Sequence, residues 1–217
     1  MLGTSNTRWR LAAVLGTLLL AGGCTDAVAP GIRPALKSAK HLSINSSSPT
    51  ILQLDPGAPP LFNNGVSFWA KVGAQRSGKI YFQKKSGGPG KVYAELQVDG
   101  NSLRARPDGT PFVAGDSVLI TMTVLSMTDI LFEFAPSGLT FNSTNPATLV
   151  LDYSGAGADL NKDGVVDDED QAIEQQLGIY RQATPGAPFV RIMSIRSMTK
   201  KKLMADVGGF SRYAIAY

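Results

Sequence analysis

From Val66 onward the sequence repeats one pattern: short runs of β-branched and aromatic residues, broken by Gly, Pro, Asp and Ser. This spacing narrows the possible folds more than any other feature. The runs are VSFWAKV (66–72), KIYFQKK (79–85), KVYAELQV (91–98), DSVLITMTV (116–124), TDILFEFAP (128–136) and ATLVLDY (147–153). FVRIMSIRSM (189–198), KKLMADV (201–207) and FSRYAIAY (210–217) complete the series. In KVYAELQV the apolar set Val92, Ala94, Leu96 and Val98 alternates with Tyr93, Glu95 and Gln97, the period of a strand with one buried face. Short strands at this spacing predict a mainly β chain, an antiparallel β-sandwich. Trp69 and Tyr81, on alternating strands, are expected in its core.

One stretch breaks the pattern. In ADLNKDGVVDDEDQAIEQQLG (158–178), oxygen-bearing side chains fall at Asp159, Asn161, Asp163, Asp167 and Asp170. Counted from Asp159 these are positions 1, 3, 5, 9 and 12 of a twelve-residue calcium loop, with Gly164 at position 6. Calcium takes six to eight hard oxygen ligands around a tight turn. Asp159, Asn161 and Asp163 are expected to present side-chain oxygens and Val165 its carbonyl. Asp167 would bind directly or through water, and Asp170 would close the site from the helix that follows. Gly164 would supply a positive φ, and Val166 is expected to point inward and pack. The one short helix follows at about 168–176, with Gly178 as its stop, and SGAGA (154–158) reads as a flexible lead into the loop.

The first residues have a different grammar. Arg8 and Arg10 precede the apolar run LAAVLGTLLLAGG (11–23), which ends at Cys24, the sole cysteine. This predicts a signal peptide over 1–23 that is too short to span a bilayer stably. AGGC resembles the lipobox of bacterial lipoproteins, which implies lipidation of Cys24 and a lipid anchor in the membrane. Residues 24–49, rich in Ala, Ser and Pro, read as a tether, and 50–217 as the sandwich. An exported chain with one cysteine has no disulfide to lean on. The formal charge of +4 is unevenly spread: seven of the 17 acidic residues lie within 158–178, leaving the rest basic. That excess reads as a solvated surface, and no nucleic-acid partner is expected.

PDGTPFVAGDSVLITMTV (107–124) and FEFAPSGLTFNSTNPATLVLDY (132–153), with the tail ADVGGFSRYAIAY (205–217), resemble a ZU-five domain. That domain is the β-sandwich module of ankyrins, netrin receptors and tight-junction scaffolds. Some members of the family cut themselves at His-Phe-Ser. Here Phe210 and Ser211 are present, Gly209 stands in the histidine's place, and the sole histidine is His41. A serine without an activating base is a weak nucleophile, so self-cleavage is not expected. DLNKDGVVDDED (159–170) resembles one calcium repeat of a dockerin, the docking module of cellulosome enzymes, which are built from two such repeats.

Other motifs read as structure. GDS (115–117) leads into a strand, GGPGK (87–91) is a hairpin turn, and Lys84, Lys85, Lys91 and Lys200–Lys202 are solvated strand ends. The resulting expectation is a non-enzymatic, calcium-binding, lipid-anchored protein of the cell envelope, at the outer membrane or cell surface. It would serve as a binding or structural module toward an envelope protein or polysaccharide. The alternative is a dockerin-like accessory of polysaccharide degradation.

Overall fold

The computed structural model describes residues 48–217. The expected signal peptide, Cys24, His41 and the tether up to residue 47 lie outside the described residues. The chain is mainly β, with two antiparallel sheets packed face to face. The first sheet has the order β1 (Gly65–Lys71), β5 (Ser117–Val124), β6 (Leu131–Ala135), β13 (Arg212–Ala216), β9 (Gly178–Gln182), β10 (Phe189–Arg191). The second runs β11 (Ile195–Ser197), β12 (Lys202–Val207), β8 (Ala147–Asp152), β3 (Pro89–Val98), β2 (Arg76–Gln83). A two-stranded ribbon of β4 (Leu103–Ala105) and β7 (Thr140–Phe141) closes one end. The α-helix is α1 (Asp168–Gln176), as the sequence predicts.

Alternation along each strand places the core. Ile120 and Met122 of β5, Phe132 and Phe134 of β6, and Tyr213 and Ile215 of β13 face Ala94 and Leu96 of β3, Leu149 and Leu151 of β8, and Leu203 and Ala205 of β12. Removing this apolar surface from water is the main force holding the sheets together. Gly78 in β2 is a requirement of that packing: a Cβ there would lie 2.5 Å from the Phe68 ring of the opposite sheet.

Three expectations need correction. Tyr93, placed by alternation on the solvent face, is fully buried against Phe82 and Phe132. The cause is a bulge: Ile80 pairs with Ala94 but Tyr81 pairs with Val92, so Tyr93 is the extra residue and turns inward. FVRIMSIRSM is not one strand. It pairs with β9 through Arg191, turns a corner at Met193, and pairs with β12 from Ile195 in the other sheet. No Gly or Pro marks the corner, so local sequence carries no signal for it. Trp69 is not in the core. It sits beside its partner Leu119 on the outer face of the first sheet, 60% exposed, because its inward-facing neighbours are Phe68 and Ala70. Tyr81 is half-buried.

Candidate functional site

The acidic segment joins β8 to β9 and rests on one edge of the sandwich. Its lead is packed rather than flexible: Ser154–Ala156 form a 3-10 turn, with Gly155 and Ala156 buried. A Cβ on Gly155 would come within 3.0 Å of Leu54 and Phe82, which is why the segment is built of small residues. The Gly155 carbonyl accepts from Asp55 N at 2.8 Å, tying the lead to the start of the domain.

The loop is wound around its own side-chain oxygens. Asp159 accepts from the amides of Lys162 (2.7 Å) and Gly164 (3.0 Å), Asn161 from Asp163 N (3.1 Å), and Asp163 from Val165 N (2.8 Å). These local bonds favour a turn over strand or helix. Gly164 has φ +91°, the left-handed conformation that its position requires. Lys162 also takes a positive φ and donates through Nζ to the carbonyls of Ala156 and Asp159, both at 2.7 Å.

Helix α1 begins with a capping box. Asp167 accepts from Glu169 N, and Asp167 N donates in return to Asp170 Oδ2 at 3.0 Å. The other oxygen of Asp170 accepts from Leu160 N and Asn161 N. One buried carboxylate thus ties the first residues of the loop to the first turn of the helix. The amides of Asp167 and Leu160, then Asn161, with Lys162 nearby, hold its pKa below the usual aspartate value. Beneath the loop Leu160, Ile173 and Leu177 are buried in the core. Glu174 accepts from the Tyr153 hydroxyl (2.9 Å) and pairs with Lys201 (2.6 Å).

The donor set matches calcium in kind and order: carboxylates, an amide oxygen and a carbonyl spaced around a glycine turn. The side chains are not gathered on one point. Among the described residues no three Asp, Glu, His or Cys side chains stand close enough together to hold a metal ion. Asn161 Nδ2 instead donates to Asp163 Oδ2 at 3.0 Å, a contact the two residues would exchange for an ion.

Two details of the loop differ from expectation. Val166 does not pack: it is 65% exposed and Val165 57%. The buried apolar residue is Leu160, because the loop lies on the sandwich through its first turn. Gly178 does not stop α1 in a left-handed conformation but opens β9. The helix end is closed by arginines, with Arg196 donating to the carbonyls of Gln175 and Leu177 and Arg191 to Leu177. A Cβ at residue 178 would lie 2.7 Å from Arg191 Nε. Two of the lysines expected to be merely solvated are likewise engaged. Lys201 pairs with Glu174, and Lys91 lies 2.8 Å from Asp152 Oδ2 and donates to Ser154.

Between β12 and β13, Ser211 is buried, and its hydroxyl oxygen accepts from Arg181 Nε at 2.8 Å. A guanidinium only donates and cannot take the serine proton. Gly209 is also fixed by space: a Cβ there would meet Leu139 O at 2.8 Å. Sequence reasoning missed Arg181, because GIYRQ is a short strand hidden behind the helix. The visible signal is Ile179 and Arg181 at strand spacing. No protein-family model matches this sequence, and no curated protein and no solved structure matches it either.

Proposed function

We propose that the protein is a non-enzymatic, calcium-binding module of the cell envelope, held to a membrane by lipid on Cys24, in which calcium staples one loop of a β-sandwich. The observation that carries the reading is the loop itself. Residues 159–165 are already curled around the side-chain oxygens of Asp159, Asn161 and Asp163, and Asp159, Asn161, Asp163, Val165, Asp167 and Asp170 occupy the ligand positions of a calcium loop. Those residues, with the Val165 carbonyl, would hold the ion. A bound dication would neutralise carboxylates that otherwise repel one another. The likeness to a ZU-five sandwich and to a single dockerin repeat supports a binding or structural role, with an envelope protein or polysaccharide as partner. Ser211, held by a donor and not a base, supports a role without catalysis.

Calorimetric titration of the chelator-treated full chain tests this. One saturable calcium site is expected, with Kd about 10 μM to 1 mM. Asp159→Ala and Asp163→Ala should each remove the binding heat. Absence of saturable binding in the unaltered chain overturns the reading.

A further inference from the structure

Arg181 is an arginine where the alternation of β9 calls for an apolar residue. It shares the inward face with Ile179 and stands opposite Tyr213 of β13 and Val190 of β10. A half-buried cation ordinarily finds a carboxylate. Among the described residues Arg181 forms no ion pair: the six that exist involve other residues. Its Nε donates to Ser211, which fixes the plane of the guanidinium, and the Tyr213 hydroxyl is a second neighbour within reach; of its five N–H donors these two hydroxyls engage only part.

Arg181 lines a cavity of about 430 Å3 at one end of the sandwich. Ile192 and Thr140 are its partly exposed side chains, and Leu139, Val207 and Phe210 back it from the core. The floor is preorganised: Gly209 bridges to Thr140, and its carbonyl accepts from the buried Tyr213 hydroxyl. Asp206 also lines the cavity, exposed to solvent, and makes no ion pair with the arginine. Its carboxylate accepts from Thr148, 3.5 Å away on the neighbouring strand.

An oriented guanidinium with spare donors, at the head of an apolar cavity of ligand size, suits a planar anion with a nonpolar body. A phosphate asks for more positive charge than one arginine supplies, and the walls offer it little. We propose that the cavity headed by Arg181 is a binding site for a small organic monocarboxylate whose apolar portion lies over Ile192. This site is independent of the calcium loop.

The test uses the full chain and calorimetric titration with sodium hexanoate, its neutral counterpart hexanamide, and inorganic phosphate. Hexanoate is expected to bind at one saturable site, at least about tenfold more tightly than hexanamide, because only the carboxylate gains charge-assisted bonds. Arg181→Met should remove that preference, leaving hexanoate no better than hexanamide. Ile192→Phe, which narrows the cavity and leaves the arginine in place, should weaken both; it also serves if Arg181→Met fails to fold. The proposal is overturned if hexanoate does not saturate the unaltered chain, if hexanamide binds equally well, or if phosphate binds more tightly than hexanoate.

Discussion

Asp170 joins the two ends of the acidic loop through a single carboxylate, with three backbone amides on its two oxygens. Its pKa lies below the ordinary aspartate value of 3.8, so the charged form is favoured in the folded state. The resulting stability is fully present above that ordinary value and is lost as pH falls through the lowered one. The protection of the Leu160 and Asp167 amides, corrected for their intrinsic exchange rates, should therefore fall as pH drops below that ordinary value and through the lowered one. Asp170→Asn should flatten that dependence. A local probe is needed because Asp108 and Asp116 are lowered too, chiefly by backbone hydrogen bonds from Thr110 and Val113. An unchanged pH profile in Asp170→Asn would remove Asp170 from this role. The buried Tyr93 hydroxyl is the opposite case. It lacks a partner among the described residues, and burial, then the Asp152 and Asp129 carboxylates, raise its pKa.

At the scale of elements, α1 is too short to persist alone and is held by what it touches. Ile173 and Leu160 bury one side, Glu174 ties it to Tyr153 and Lys201, and Arg191 and Arg196 close its end. Leu160→Ala is expected to cost about 2–5 kcal/mol, the range for a buried leucine, through the cavity it leaves under the loop. Chemical denaturation of the variant measures this. A cost near zero would mean that the loop does not rest on the core.

The elements also show which parts of the fold were legible. β5, β8, β12 and α1 follow from short β-branched and aromatic runs between turn residues and from the helix's place after the acidic loop, both local features. Where the chain departs from the reading, a distant partner decides. The bulge that turns Tyr93 inward depends on pairing with β2, and the corner at Met193 depends on two sheets meeting. Gly178 is needed for a close approach by Arg191 and not for a helix stop, and nothing in the sequence places that arginine. The turn of the loop is readable because the spacing of its oxygen-bearing side chains and its glycine is set within twelve residues. Which valine or leucine of the loop is buried depends on how the loop lies on the sandwich.

At the scale of the whole molecule, the two sheets share a continuous apolar core to which the acidic loop adds a margin. A millimolar exterior acting on a site of about 10 μM to 1 mM affinity would contribute about 0.4–2.7 kcal/mol by mass action. That is enough to fix a loop and small beside the burial of the core. The proposed membrane link would be separable from both. Cys24→Ala should move the protein from the membrane to the soluble fraction and abolish lipid labelling, with the calcium site intact. Unchanged fractionation and labelling would contradict the anchor.

Hydrogen–deuterium exchange of the full chain, with saturating calcium and with chelator, tests the staple most directly. The expected result is greater protection with calcium confined to residues 158–178, above all at the amides of Leu160, Asn161, Gly164 and Val165, with β3, β8 and β13 unchanged. If chelation exposes the strand amides as well, the metal is integral to the fold. If neither loop nor strands respond, the loop does not bind calcium.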